Sequence, residues 1–356
     1  MNLIDYGFIP SMLYSIDMPQ SEISGGLPAR VTAVHKGRYE LACEFGQAFG
    51  RLKTGVYYAG GSENFPTTGD FVMINFNQSG DSQIIKTLPR RSFFSRRDPT
   101  IGRGEQAVAA NFDYVFIMQS LNLDFNLKRM ERYITLAWQS GALPVLVLTK
   151  ADLVEDFSEQ IRAAEKIATG IGIYAVSAVS GAGIDDLAEY LKPRKTIVFL
   201  GSSGVGKSSL VNALAGSEIM AVKEIRENDG RGRHSTTHRQ LIMLDSGVMI
   251  IDTPGMRELG MWDVSQGLGE AFGDVEQYFG SCKFLDCKHQ TEPGCAIKDA
   301  IENGELPQER WNSYLNLKRE AKVSDDKGSY LRQKQQWHKE ISKWSKQKKK
   351  NGEIMK

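Results

Sequence analysis

Cysteine is scarce in this chain, four residues in 356, and three of the four fall within fourteen residues, beside a histidine. The scarcity excludes a disulfide-stapled scaffold. The clustering, in a chain without a secretion signal, favours a metal over disulfides. The fourth, Cys43, sits in a strand-like stretch and reads as a small core residue. Long apolar runs are missing too: none reaches the ~18 residues of a membrane span, so no membrane partner is expected. The N-terminus, Met1-Asn2-Leu3-Ile4-Asp5, has neither the basic start nor the apolar stretch of a signal peptide, which makes a cytoplasmic location the expectation. An excess of one charge is also lacking, with a net of +1. The tail alone departs from that balance. Residues 332–356 hold nine basic side chains (Arg332, Lys334, Lys339, Lys343, Lys346, Lys348, Lys349, Lys350, Lys356) against Glu340 and Glu353, a net of +7. Such a tail suits an anionic partner, or a solvated helix end.

What is present reads as two or three globular domains. Residues 1–27 give no clear pattern. From Ala29 to about Thr87 the chain alternates and is rich in Val, Ile, Phe and Tyr. Short strands are predicted at Arg30–Val34, Arg38–Phe45, Phe71–Phe76 and Ser82–Thr87, broken by Gly37, Gly60-Gly61, Gly69-Asp70 and Gly80-Asp81. A small β-barrel follows, with an OB-fold as first choice. Arg90, Arg91, Arg96 and Arg97 surround Phe93 and Phe94. That mixture suits a nucleic-acid surface, or a linker whose phenylalanines plug the next domain. From Tyr114 strands and helices alternate. Strands are predicted at Tyr114–Met118, Pro144–Leu148, Ile173–Val176 and Thr196–Leu200. Helices are predicted at Leu127–Trp138, Ser158–Thr169, Ile184–Leu191 and Lys207–Leu214. A hairpin is predicted from Arg239–Leu244 and Val248–Asp252. This is an α/β domain with a mostly parallel sheet. The chain then turns loop-rich, and helices are predicted from about Leu306. No internal repeat is present.

Gly201-Ser202-Ser203-Gly204-Val205-Gly206-Lys207-Ser208 matches G-x-x-x-x-G-K-[ST], after a β-branched strand and before a helix, with Ser209 following. Glycines let backbone N–H groups turn inward around phosphate, and the helix N-terminus adds positive potential. Lys207 would reach the β/γ-phosphates and Ser208 would ligate Mg²⁺. About 45 residues on, Asp252-Thr253-Pro254-Gly255 ends an apolar strand. Asp252 can hold Mg²⁺ through water, and Gly255 can offer its N–H to a γ-phosphate. Upstream, Thr149-Lys150-Ala151-Asp152 ends another strand. A buried Asp152 can accept from guanine N1–H and N2, bonds that adenine cannot supply. The Lys150 stem can lie over the base. Ser177-Ala178 ends the next strand, where the Ala178 N–H can meet guanine O6. Cys282-x4-Cys287-x-His289-x5-Cys295 offers four ligands, enough for a closed tetrahedral Zn²⁺ site that is structural rather than catalytic.

Together these segments resemble the five nucleotide motifs of Ras-like GTPases in the order 4-5-1-2-3, with Thr236 fitting the second, Mg²⁺- and γ-phosphate-reading motif. With an upstream barrel and a downstream Cys/His cluster, the arrangement is similar to that of the circularly permuted small-ribosomal-subunit biogenesis GTPases, the RsgA type, over about residues 28–300. The resemblance implies an OB-like RNA-binding barrel (28–104), a permuted GTPase (105–275) and a zinc-binding helical domain (276–356). It further implies GTP/GDP, the small subunit and its rRNA as partners, one Zn²⁺ per chain, and Mg²⁺ with GTP. A monomer is expected. Members of that family bind the subunit late in its maturation, and their turnover rises on contact with it. Two departures stand out. Thr149 replaces the usual Asn, and a shorter hydroxyl with fewer donors predicts a weaker grip on the base. Met256 replaces a water-positioning Gln. The family's histidine before the second motif matches His234, which would position the water or contact RNA; His238 is the weaker candidate. Trp337, Ile341 and Trp344 share one helical face, packed on the protein or stacked on RNA, with Lys339, Lys343, Lys346 and Lys350 around them.

Overall fold

The computed structural model describes residues 2–13, 26–53, 55, 57, 65–97, 105–122, 124–220, 239–252 and 265–322. The predictions for Trp337, Ile341, Trp344 and the basic tail fall outside these residues. Strands β1 (Leu27–His35), β2 (Arg38–Cys43), β3 (Gly46–Leu52), β4 (Phe71–Asn75) and β5 (Ser82–Thr87) pair in the order 1-2-3-5-4, and β4 returns to β1. β3 and β5 run parallel; the other neighbours are antiparallel. This is the closed Greek-key barrel of an OB-fold. Its interior follows from period-2 alternation: Ala29 and Val31, then Tyr39, Leu41 and Cys43, then Val72, Ile74 and Ile84 form one cluster. The opposite face of β4, Phe71 and Met73, is also buried, in a larger cluster shared with the rest of the molecule. One side of the barrel is therefore committed to a neighbour.

β3 was not expected from the sequence. Its Gly46-Gln47-Ala48-Phe49-Gly50 start carries two glycines, which weaken strand propensity. At Gly50 a side chain has no room: a Cβ would stand 2.7 Å from Leu41 Cδ1.

β6 (Phe93–Arg97) and β7 (Glu105–Ala110) form an antiparallel pair that straddles the boundary drawn at 104/105. Of the predicted arginine–aromatic surface, two members are withdrawn. Arg90 is half-buried and pairs with the buried Asp70 carboxylate at 2.8 Å. Phe94 is buried and stacks on Phe112 with centroids 4.9 Å apart. Phe93 remains exposed.

The α/β part runs β8 (Tyr114–Ser120), α1 (Leu127–Gln139), β9 (Leu143–Thr149), α2 (Ser158–Glu165), β10 (Gly172–Val176), β11 (Thr196–Gly201), α3 (Lys207–Ala215), β12 (Gln240–Met243) and β13 (Met249–Asp252). The sheet order is β10-β9-β8-β11-β13-β12, with all but β12 parallel. Helix α1 starts where Asn126 accepts the Arg129 N–H at 3.0 Å, an N-cap. Two predicted helices shorten. α2 stops at Glu165. The helix expected over Ile184–Leu191 keeps regular form only as a 3₁₀ turn, Asp185–Leu187. Pro193 disfavours helical geometry at Lys192. The following link is pinned as well: Arg194 donates its N–H to Gly247 O at 2.8 Å, and Lys195 pairs with Asp113 at 3.1 Å.

Helices α4 (Ser265–Ala271), α5 (Gly273–Glu276), α6 (Ala296–Glu302) and α7, over 308–322, close the described chain. The boundary drawn at 275/276 falls inside α5. The Gly267 N–H donates to Gln139 Oε1 on α1 at 2.9 Å. Buried Arg310 ties α7 to α1 through Glu131 (2.8 Å) and to α5 through Asp274 (2.9 Å), with its guanidinium 4.0 Å from the Phe272 ring centroid.

The patternless N-terminus is a seal. Two 3₁₀ turns, Leu3–Tyr6 and Pro10–Leu13, bury Leu3, Tyr6, Phe8 and Met12 in the shared cluster. Beside them Arg30, fully buried on β1, donates to Tyr6 O, Gly69 O (3.3 Å), Asn111 O (2.9 Å) and Thr196 Oγ1 (3.0 Å). Burial pulls its guanidinium down to about 9, still protonated at neutral pH. These bonds join the N-terminal segment, the barrel and the start of β11. Arg30→Met leaves several buried acceptors unmet and is expected to cost roughly 2–5 kcal/mol of stability. Urea denaturation measures it, and an unchanged midpoint would show that the joint is held by packing alone.

Candidate functional site

The C-terminal ends of the parallel strands point to one edge of the sheet, the edge on which α/β proteins place ligands. β11 sits centrally, between β8 and β13, and delivers the loop 201–206. Gly204 and Gly206 hold φ of +75° and +102°, a region open to glycine at little steric cost. Helix α3 then starts at Lys207, with Ser208 and Ser209 in its first turn. The segment forms a strand-to-helix turn that ends on a helix N-terminus, where N–H groups are available to an anion.

Asp252, at the end of β13, is buried and forms an ion pair with Lys207 Nζ. The two groups assigned to phosphate and Mg²⁺ therefore neutralise each other across the loop.

Thr149 ends β9, one strand beyond β8. Its hydroxyl is buried and donates to Val205 O at 2.5 Å, with Gln119 O at 3.3 Å. It therefore contacts the phosphate loop and ties the first position of this motif directly to it. Lys150 follows at φ +60°, a left-handed residue that starts the turn Ala151–Leu153. Asp152 is exposed, not buried as predicted, and its Oδ1 accepts the Ser177 hydroxyl at 2.5 Å. Ser177 Oγ in turn accepts the N–H groups of Val179 (3.2 Å) and Ser180 (3.1 Å), which fixes the loop carrying Ala178. One carboxylate oxygen is thereby oriented, and any bound base must itself provide the cover.

His234, Thr236, Gly255 and Met256 lie outside the described residues. The structure adds a group that spacing did not mark. Asp124 contacts the Ser202 hydroxyl through Oδ2 and pairs with Arg129 at 2.8 Å, and Arg129 donates to buried Gln119 Oε1 at 2.9 Å. This network braces the second loop position from the β8–α1 turn. A lone Asp in a loop after a strand carries no motif, so only the fold exposes it.

A second constellation lies between α5 and α6. The ligand atoms of Cys282, Cys287, His289 and Cys295 lie within 4.8 Å of one another. The His289 Nδ1 atom is 3.4 Å from Cys282 Sγ, 3.6 Å from Cys287 Sγ and 3.4 Å from Cys295 Sγ. Bond lengths of about 2.3 Å to sulfur and 2.05 Å to nitrogen at tetrahedral angles imply S···N edges of about 3.6 Å, so the set fits a tetrahedral dication. Ring stacking on Phe279, centroids 5.1 Å apart, orients His289. Burial, then hydrogen bonds to Cys282 and Cys295, pushes the Cys287 thiol up to about 11, and a bound dication reverses that by stabilising the thiolate. The cluster can hold a metal ion.

A phosphate loop in mid-sheet, with a base-reading carboxylate motif earlier in the chain than the loop itself, defines a circularly permuted P-loop GTPase. A sequence profile of the RsgA GTPase family matches residues 87–262. "Small ribosomal subunit biogenesis GTPase RsgA 1" of Listeria monocytogenes is 46% identical over 300 residues, 84% of this chain and 85% of that protein. The protein of that name without a number from Methanosarcina acetivorans is 40% identical over 74% of this chain and 71% of its own length. Among solved structures, YjeQ from Thermotoga maritima is similar with a TM-score of 0.61 at 28% identity, covering 82% of this chain and 97% of that one. YloQ, titled a circularly permuted GTPase, has a TM-score of 0.59 at 26% identity, covering 84% and 96%. The chain belongs to the RsgA GTPase family, whose activity is GTP hydrolysis.

Thr149→Val keeps the shape but strands the Val205 carbonyl. Nucleotide affinity is expected to fall by roughly 5–30-fold, from about 1–2 kcal/mol of lost loop bracing. Calorimetric titration with GDP measures this; undiminished affinity in the Val variant removes Thr149 from the site.

Proposed function

We propose that this chain is a GTP-hydrolysing switch that binds the small ribosomal subunit, assists its late maturation in the cytoplasm, and turns over faster on contact with it. The carrying observation is the meeting of the phosphate loop, Thr149, the Asp152–Ser177 pair and Asp252 along one sheet edge, in the fold of a family whose relatives are named for this role. In this reading Gly201, Ser202, Ser203, Gly204, Val205, Gly206, Lys207, Ser208 and Ser209 wrap the phosphates. Thr149, Lys150, Ala151, Asp152, Ser177 and Ala178 form the guanine side. Mg²⁺, when bound with GTP, neutralises charge on the phosphates; Ser208, Thr236 and Asp252 would hold it, and Lys207 would exchange Asp252 for phosphate. Gly255 reads the γ-phosphate. His234 orients the attacking water in place of the Gln that Met256 replaces.

The topology supports a way for nucleotide state to reach the RNA-binding parts. Residues 221–238 lead into Arg239, whose carbonyl accepts the Thr68 hydroxyl of the barrel at 3.2 Å, and into β12, which pairs with β1 at Ala33↔Gln240. At the other switch, the chain after Asp252 leads to α4, docked on α1. Ordering of Thr236 and Gly255 by γ-phosphate would therefore pull on both modules. Cys282, Cys287, His289 and Cys295 hold one structural Zn²⁺ in the monomer.

GTP turnover titrated with purified small and large subunits tests the function. A rise specific to the small subunit is expected, weakening steeply as salt increases. His234→Ala should keep GTP binding and lose most of the stimulated rate; full stimulation in that variant ends the catalytic role of His234. For the metal, elemental analysis should find one zinc per chain, and Cys287→Ser should destabilise the C-terminal helices, since ligation energy is folding energy there. Protein purified without chelator and free of zinc would contradict the site.

A further inference from the structure

We propose that Asp124 is a further positioning residue for the nucleotide: acting through the Ser202 hydroxyl, it sets the phosphate loop in its binding form before phosphate arrives. The proposal rests on the assignment of residues 201–209 to the phosphates and deepens it. A glycine-rich loop loses much conformational freedom when it closes on a ligand, so whatever holds it beforehand adds to affinity. This loop is held near both ends. Near its start, Ser202 donates its hydroxyl to Asp124 Oδ2. Near its end, the Val205 carbonyl accepts from Thr149 Oγ1 at 2.5 Å.

The two holds belong to one circuit. Asp124 Oδ1 pairs with Arg129 Nη2 at 2.8 Å, and the same nitrogen donates to Gln119 Oε1 at 2.9 Å. The Gln119 main-chain carbonyl lies 3.3 Å from Thr149 Oγ1, which returns the path to Val205. A chain of polar contacts therefore leaves the loop at its second position and re-enters it at its fifth, by way of the end of β8 and the first residue of the guanine motif. The part outside the loop is rigid. Asn126, just after Asp124, caps α1 by accepting the Arg129 N–H at 3.0 Å, and α1 buries Met130, Tyr133, Ile134 and Ala137. Glu131 of the same helix is fixed by Arg310 at 2.8 Å. The circuit has little redundancy. Among the described residues, Gln119 Nε2 and Arg129 Nε are buried without a hydrogen-bond partner. Loss of the Asp124 carboxylate would leave the Arg129 guanidinium with uncharged acceptors alone. A partly satisfied polar network responds strongly to the removal of one member.

Charge and positioning predict opposite signs. Asp124 carries a negative charge beside a loop that takes phosphate. Acting by its field alone it would repel the nucleotide, and its removal would tighten binding, the more so because Arg129 stays behind. A positioning role predicts weaker binding. The circuit contains neither Thr236 nor Gly255, the residues assigned to the γ-phosphate, so GDP and GTP are affected alike. Loss of such uniform binding raises KM and leaves kcat in place.

The test is calorimetric titration of the full chain with GDP, together with GTP turnover at rising concentration, for the parent, Asp124→Ala, Ser202→Ala and the double variant. Ser202→Ala removes the same hydrogen bond but keeps the Asp124–Arg129 pair, and so serves if Asp124→Ala does not fold. Each single variant should raise the Kd for GDP on the order of 10-fold, the scale of one lost hydrogen bond to a charged group. KM for GTP should rise by a similar factor while kcat at saturation holds. The double variant should lose no more than Asp124→Ala alone, since the two substitutions break one bond. Asp124→Asn, which keeps an oxygen for the Ser202 hydroxyl, should recover most of the affinity. Tighter GDP binding by Asp124→Ala, additive losses in the double variant, or a fall confined to kcat overturns the proposal. So does a lowered thermal midpoint with unchanged affinity, which reduces the network to a contact of the fold. A parent that binds no GDP overturns the phosphate-loop assignment itself; a parent that binds GDP and is matched by both single variants overturns only the role of Asp124.

Discussion

A guanidinium without access to water holds the junction of this molecule. Arg30 reaches a carbonyl of the N-terminal segment, two carbonyls between barrel and sheet, and the hydroxyl at the start of β11, the strand that ends in the phosphate loop. Burying a charge is costly unless its donors are all engaged. Here the acceptors come from segments far apart in the chain, so they must assemble together. The Phe71 ring, 4.9 Å from the guanidinium, completes the enclosure. The positions of β1 and β11 relative to one another follow from that requirement, and the nucleotide edge inherits them.

The permuted order makes physical sense in this setting. In the order 4-5-1-2-3 the chain leaves the sheet after the Asp252 motif and enters it at β8. The barrel contacts the start of β12 directly, through Thr68 and β1, and the helical domain follows β13 in the chain. Each module has its own buried ionic tie: Arg90–Asp70 in the barrel and Arg310 with Glu131 and Asp274 in the helical domain. Such ties set register and orientation more than net stability, because desolvation offsets much of their attraction.

Much of the site was legible in the sequence because its chemistry depends on short-range spacing. The phosphate loop needs glycines five residues apart, Gly201 and Gly206, directly before Lys207 in a strand–turn–helix frame, and the Cys/His cluster needs four ligands on one short loop. Both can be read without knowing the fold. The barrel strands were legible wherever hydrophobic residues alternate, and β3 was not, since Gly50 is required by the side chains of Leu41 and Ile84 on the two neighbouring strands. The arginine–aromatic segment left two readings open for the same reason, and Phe94 takes the one that plugs the next domain. Arg90 and Phe94 are directed inward by Asp70 and Phe112, partners that local composition cannot reveal.

The sequence by itself determined the nucleotide class, the Cys/His cluster, the permuted order and the barrel-then-sheet succession, because each rests on residues close together in the chain. Tertiary structure decided the rest. It tied Thr149 to the phosphate loop, made a featureless N-terminus the seal of the joint, and placed Asp124 against Ser202. It also chose which flank of the barrel stays open. These outcomes depend on which buried polar group meets which partner across long sequence separations, and that choice is made only when the chain closes on itself.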